Sequence, residues 1–391
     1  MRFPIYLDHN ATTPVDDEVL AAMLPYFQQK FGNPASKTHA FGWDAEAAVG
    51  EARSQVADAV GCRTREVVFT SGATEANNLA LLGVARRARA RRAEPPPEII
   101  TTATEHKAVL DPCTALEKEG FVVRRLSPDP SGRVGAAQVT DAIGENTALV
   151  SILLANNETG VIQPIEEIGK ATRAAGVPLH CDAAQAVGKI PVDLGKLPID
   201  LLSISGHKVY GPKGIGALIV RSRPRPPIAP VIFGGGHESG LRSGTLATPL
   251  IVGLGRALER AEATREAEAT RQRELIDRLL ARLRAEVPDL VVHGVDREKE
   301  PEATLPGTVN LGFPGVEAEA LLLGTPQLAL STGSACTSAE LEPSHVLRAM
   351  GVPVALAHGS IRIGVGHSTR AEEVEFAAAR LAEVAKRLRT G

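Results

Sequence analysis

The chain has 391 residues, 43% of them hydrophobic and 23% charged, with a formal net charge of -3. This is the make-up of a globular protein too long for one ordinary core, so two domains are expected. The charge balance gives no broad basic surface for nucleic acid, no run approaches the roughly 18 apolar residues of a membrane-spanning helix, and cysteines at 62, 113, 181 and 336 form no CxxC pair of the kind that holds zinc or a disulfide scaffold.

The first residues, MRFPIYLDHNATTP, have no charged region leading into an apolar one, so no signal peptide is expected and a reducing cytoplasm is the natural setting. From about residue 50 to 255, short apolar runs alternate with longer helical patterns. The runs fall at 66–70 (EVVFT), 98–102 (EIITT), 148–154 (ALVSILL), 177–181 (VPLHC), 200–204 (DLLSI) and 216–220 (GALIV). Continuous rather than alternating hydrophobicity predicts strands buried on both faces, as in a mainly parallel sheet covered by helices. Helices are predicted at 77–92 and 165–175 between them, which makes the fold class α/β. The run RRARARR at 86–92 closes the first of these helices. It is read as a solvated helix end, with contact to an acidic partner as the alternative.

After Pro249 the texture changes. Residues 251–287 are nearly free of breakers and rich in Ala, Glu and Arg, predicting one or two long helices and a domain boundary near 255–265. Glu274 and Arg278 stand one helical turn apart in the favourable order for an ion pair. Short strands at 307–311 and 360–364 follow, and the chain closes on an amphipathic helix over 371–389.

Four short segments each follow a predicted strand, where ligands bind in open α/β sheets. Lys208 lies in Ser205-Gly206-His207-Lys208 after DLLSI, placed to form a Schiff base with an aldehyde cofactor; a lysine in such a loop is otherwise a solvated surface residue. Asp182 ends VPLHC and is the carboxylate that a pyridinium nitrogen needs, or else the N-cap of a following helix. Gly72-Ala73-Thr74-Glu75 opens a helix and can bind phosphate through free N–H groups and the Thr74 hydroxyl; the alternative is an ordinary capped helix. His106, after EIITT, can stack on a planar ring and shuttle protons, or be purely structural.

The ordered segments DHNATTP, FGNPAS, TSGATEANN, TEHKAVLD, NNETG, CDAAQ, SGHKVYGPKG, GGGHESGLRSGT, STGSACTS, EPSHVLRAMG and SIRIGVG resemble the cysteine desulfurases (NifS/IscS-like), from the class V aminotransferase branch of fold-type-I pyridoxal-phosphate enzymes. The resemblance runs from about Tyr6 to past Gly366. It implies a large seven-stranded-type sheet domain over 15–258 that binds pyridoxal 5'-phosphate. A smaller α+β domain is implied over 1–14 plus 259–391, carrying a catalytic loop at about 328–342.

By that resemblance Lys208 holds the cofactor and moves protons, Asp182 pairs with the ring nitrogen, and His106 stacks on the ring. Gln185 bonds the ring hydroxyl, with Asn157 near the same edge. Ala73, Thr74, Ser205 and His207 bind the phosphate, and Thr245 reaches it from a second subunit, which implies a homodimer. Arg362 clamps the substrate carboxylate with Asn33 assisting; turn roles for Asn157 and Asn33, and a surface ion pair for Arg362, are the alternatives. Cys336, in the small and polar segment Ser331–Ser338, attacks the sulfur of L-cysteine and becomes a persulfide. Cys62, Cys113 and Cys181 are read as space-filling. The acceptor is expected to be an iron–sulfur scaffold or another sulfur carrier, and no metal site is expected. Gly206 before the His-Lys pair and Thr332 before GSAC replace the family's usual Ala and Ser, both small changes. A selenocysteine lyase would share nearly every cofactor residue, a class V aminotransferase would not need Cys336, and a sulfur-transfer scaffold would lack the yellow chromophore.

Overall fold

The computed structural model describes residues 1, 3–92, 94–332 and 343–390. Its strands are β1 (Ile5–Tyr6), β2 (Val67–Thr70), β3 (Glu98–Thr102), β4 (Val122–Leu126), β5 (Thr147–Ser151), β6 (Leu179–Asp182), β7 (Leu201–Ser205), β8 (Gly216–Val220), β9 (Val291–His293), β10 (Thr308–Gly312), β11 (Leu328–Ala329) and β12 (Ser360–Gly364). Seven of them form one sheet in the order β2-β8-β7-β6-β5-β3-β4. β8 runs antiparallel to both β2 and β7, while the β7–β6, β6–β5, β5–β3 and β3–β4 pairs are parallel. β8 alone therefore opposes the others, and the fold is the α/β class expected of a fold-type-I enzyme.

Every residue of β2, β3, β6, β7 and β8 is buried, which is why these strands read as unbroken apolar runs. β4 was not anticipated. Its sequence, VVRRL, buries fully only Leu126, as suits an edge strand whose charges discourage further pairing. Arg124 there reaches across to Glu98 of β3 at 2.8 Å. β5 stops at Ser151, short of the expected 154: Leu153 N donates to Glu105 Oε1 at 2.7 Å, while Ile152 N and Leu154 N continue to donate to His180 O and Asp182 O of β6.

The breaker-free stretch forms one helix, Thr248–Glu286, of 39 residues. Its first third packs Ile251, Leu254 and Leu258 into the core beneath the sheet. Its last third packs Leu275, Ile276, Leu279 and Leu283 into a second core with Phe313, Ile361 and Leu381. The second core lies against the antiparallel sheet β12-β10-β9 and takes in Ile5 and Leu7 from the N-terminus. We propose the domain boundary at 258/259, with residues 1–14 joining the second unit; the packing of the helix's two ends into separate cores supports a division within it. Glu274 and Arg278 form no ion pair among the described residues; Arg265–Glu262, Arg271–Glu268 and Arg282–Glu286 line the helix instead. The arginine run at its helix end is partly anchored within the chain, since Arg86 pairs with Glu119 at 2.7 Å and the Arg89 guanidinium lies 3.5 Å from the Phe121 ring centroid.

Leu279 is fully buried in the second core. Leu279→Ala is expected to cost about 2–5 kcal/mol through lost transfer energy and a residual cavity, read as a lower denaturant midpoint at unchanged slope.

Candidate active site

The ends of β2, β3, β5, β6 and β7 that share one direction open onto a single cavity of about 490 Å³. Among its lining residues are Ala73, Thr74, His106, Asn157, Asp182, Gln185, Ser205, His207, Lys208 and Arg362, drawn from loops far apart in sequence. The structure therefore brings these predicted positions together. It does not bring Asn33 or Thr245 to the same cavity within this chain. Asn33 lines a second cavity of about 480 Å³ with Gly235, Gly236 and His237, and Thr245 is exposed.

Lys208 closes a single helical turn after β7, and its Nζ donates to the carbonyls of Asn10 and Ala11, each at 2.6 Å. It is thus held against the cavity wall rather than solvated at the surface. Asp182, at the end of β6 and buried, accepts from Asn77 Nδ2 at 2.7 Å through one oxygen and from Ala184 N at 2.9 Å through the other. The cap reading is thus half right: Asp182 caps a turn, and a helix does not follow it.

His106 begins the helix Lys107–Lys118 as its N-cap, with Nδ1 accepting from Ala108 N at 3.1 Å. Burial lowers the imidazole's pKa from its ordinary value, against the opposing pull of Asp182; Nδ1, as the acceptor from Ala108 N, carries no proton, which leaves the ring proton on Nε2. Nearby Glu105 is pushed well above the usual carboxylate range by complete burial, with Asp182 adding to the rise.

The helix Ala73–Arg91 starts at Gly72 with no side-chain cap, so its first N–H groups and the positive end of its dipole face the cavity beside Ser205 and His207. Gly72 has φ 150°, a conformation that L side chains rarely adopt. His207 is pushed down to about 4, by burial first and then by Lys208, Lys213 and Lys189, and its Nδ1 lies 3.0 Å from Thr12 Oγ1.

Arg362 on β12 is only 4% exposed and pairs with Asp8 at 2.7 Å, so its ion pair is real but internal. Its Nη1 also donates to Asn157 O at 3.1 Å, while its Nε is buried without a partner among the described residues. A buried unpaired donor on a guanidinium is costly unless a ligand meets it.

These observations test the fit of the expected cofactor. An open helix start suits a phosphate, a buried carboxylate suits a ring nitrogen, a neutral imidazole suits a ring face, and a lysine amine suits an aldehyde. The donor set fits, and it defines the class as that of the pyridoxal-phosphate enzymes.

The aminotransferase class-V family profile matches residues 5–376. The chain is 51% identical to the cysteine desulfurase IscS of Anaeromyxobacter dehalogenans over 389 residues, 100% of this chain and 94% of that one. A solved NifS-like protein superposes with TM-score 0.88 at 36% identity, covering 99% of this chain and 100% of the other. A structure of SspA in complex with cysteine superposes at 0.80 with 40% identity, covering 92% and 98%. The chain belongs to the class-V aminotransferase family, and within it to the NifS/IscS-like cysteine desulfurases, which use pyridoxal 5'-phosphate.

Cys336 lies outside the described residues, but the chain on either side of its segment is placed. Ser331 O accepts from Arg362 N at 2.7 Å. Past the gap, Ser344 Oγ donates to Glu158 Oε2, and His345 Nε2 lies 2.9 Å from Glu105 O. Both attachments are at the rim of the cavity, beside Arg362 and His106.

Sequence reasoning gave no role to Asn10, Asn77 or Glu158. Asn77 was within reach, since it lies one helical turn after Ala73 in TSGATEANN and so on the same face. Asn10, in DHNATTP, belongs to a segment without regular structure, and periodicity carries no signal there.

Proposed function

We propose that the chain removes sulfur from L-cysteine, with Lys208 holding pyridoxal 5'-phosphate, Arg362 binding the substrate carboxylate and Cys336 taking the sulfur. The observation that carries this reading is the convergence of Lys208, Asp182, His106 and the open helix start at Gly72 on one cavity that Arg362 also enters. When bound, the cofactor supplies an electron sink that weakens the bonds at the substrate's Cα and, through it, the Cβ–S bond.

The chain's own groups do the rest. The carboxylate of Asp182 meets the ring nitrogen and favours its protonated state. Lys208 Nζ, once free of the cofactor, takes the Cα proton and returns it. Arg362 Nε, which has no partner among the described residues, donates to the substrate carboxylate, and the guanidinium stays oriented by Asp8 and Asn157 O. The Cys336 thiolate attacks the substrate sulfur. The S–S bond forms as the Cβ–S bond breaks with its electron pair moving to carbon, Cβ gains a proton, and alanine leaves with a persulfide on Cys336. The formal oxidation of the sulfur pair balances the reduction of Cβ.

The remaining cysteines support the choice of nucleophile. Burial pushes the Cys62 and Cys113 thiols up to about 12 and Cys181 well above its ordinary value, so none of them is a thiolate at neutral pH. Exposed Leu24, Phe27, Phe31, Phe41 and Trp43, close together in sequence, support a homodimer. Thr245, exposed here, would then reach the partner's phosphate, and Asn33 would act at the same interface. We propose a cytoplasmic location, supported by three free cysteines, and transfer of the persulfide sulfur to an iron–sulfur scaffold or another carrier protein. No helix among the described residues is long and apolar enough to cross a membrane.

The test supplies L-cysteine and a thiol reductant to the purified holoenzyme and measures alanine and sulfide. Equimolar formation is expected. Formation of pyruvate or of a transaminated keto acid in place of alanine would overturn the reading.

A further inference from the structure

Behind Lys208 lies a second lysine that the reaction does not use. Lys189 sits in the turn that follows β6, where Ala186 O accepts from both Lys189 N and Ile190 N, each at 3.0 Å. Gly188 before it has φ 75°, and a Cβ there would meet Ala261 Cβ at 2.9 Å and Val209 Cγ1 at 3.0 Å. The turn is thereby held tightly against its neighbours, and Lys189 is directed back toward Gln185.

The contacts form a short chain. Lys189 Nζ donates to Gln185 Oε1 at 2.8 Å, and Asn10 Nδ2 approaches the same oxygen at 3.4 Å. Gln185 Nε2 donates to Asn10 O at 2.8 Å, the carbonyl that also accepts from Lys208 Nζ. An ammonium has three donors and no acceptor, so only the oxygen of the Gln185 amide can face it. The amide is thus fixed in one of its two orientations. One Nε2 hydrogen goes to Asn10 O and the other is left for the cavity that Gln185 lines. No carboxylate lies within 4.0 Å of Lys189 Nζ among the described residues. Glu268, which shares a narrow cleft with Lys189, His9, Tyr210 and His367, is taken by Arg271.

We infer that Lys189 is a positioning residue: its ammonium locks the Gln185 amide so that an N–H points into the site, making this wall a reader of a ring oxyanion on the bound cofactor. This rests on the pyridoxal-phosphate reading and adds a residue to it. The position is electrostatically costly. The ammonium is pushed down to about 7, by burial first and then by the charges of Lys208 and Arg362.

The test is a pH titration of the visible absorbance of reconstituted holoenzyme, with the cofactor dissociation constant measured in parallel. Neither needs turnover, so a failure of desulfurase chemistry would not be confused with a failure here. Loss of a donor and of a positive charge both disfavour the anionic oxygen. Lys189→Met is therefore expected to raise the midpoint of the absorbance change by about one unit and to weaken cofactor binding roughly tenfold. Lys189→Arg, always charged and rich in donors, should restore both values. In a Gln185→Ala background, Lys189→Met should add little, since the lysine acts through the amide. An unchanged midpoint in Lys189→Met, or full additivity of the two substitutions, would overturn the inference. Should Lys189→Met fail to fold, near-isosteric Gln185→Glu, which cannot donate when ionised, must raise the midpoint instead; a wild-type midpoint there is equally fatal.

Discussion

Replacing Lys208 with alanine is expected to lower alanine formation from L-cysteine by at least about 10³-fold, within the range that positioned acid–base groups supply, while leaving the fold intact. Lys208 Nζ donates to two backbone carbonyls, Asn10 O and Ala11 O, acceptors that water can satisfy once the side chain is removed. The same change removes the amine proposed to hold the cofactor, so visible absorbance should be lost on gel filtration under conditions where the wild-type protein keeps it. Of the nearby lysines, Lys189 is committed to Gln185 Oε1 at 2.8 Å. A Lys208→Ala protein that turns over cysteine at wild-type rates would sink the assignment.

Cys336→Ala is expected to separate cofactor chemistry from sulfur transfer. The residues proposed to hold the cofactor are all others, so visible absorbance and its response to added cysteine should persist. Sulfide release with a thiol reductant should fall to the background rate, a loss on the order of 10³-fold or more for a missing nucleophile. No other thiol in the chain can stand in. Cys113 and Cys181 are buried beneath the sheet or against its helices, and Cys62 lies with Arg63, Glu66 and Arg221 in a separate surface cleft. Undiminished sulfide release would move the nucleophile elsewhere. Loss of absorbance would mean that Cys336 serves the cofactor instead.

The sheet was legible because its strands are buried on both faces, and burial on both faces writes itself into the sequence as uninterrupted apolar residues. β4 escaped notice because an edge strand answers to solvent and obeys no such rule. Lys208, Asp182, His106 and Thr74 were legible because each follows a strand directly, and chain direction places all such positions at one end of the sheet. Lys189 follows a strand too, but its value depends on a hydrogen bond to a residue four positions earlier in a turn. No periodic pattern predicts that contact. Arg362 was identified while Asp8 was not, since an ion pair spanning 354 residues leaves no local trace. Glu274 and Arg278 show the converse: correct spacing permits a pair without compelling one, and exposed pairs gain little from forming.

The helix Thr248–Glu286 has a solvated middle and two buried ends, each belonging to a different core. An α-helix turns about 100° per residue. One residue inserted anywhere in that middle would therefore rotate Leu275, Ile276, Leu279 and Leu283 by about 100° away from the core they fill, while Ile251, Leu254 and Leu258 stayed in place. The middle of this helix tolerates changes at its outward-facing positions and is almost wholly unfree to change its length. It acts as a phase-setting axle between the two halves of the molecule, and its residue count is as much a part of the design as any side chain in the cavity.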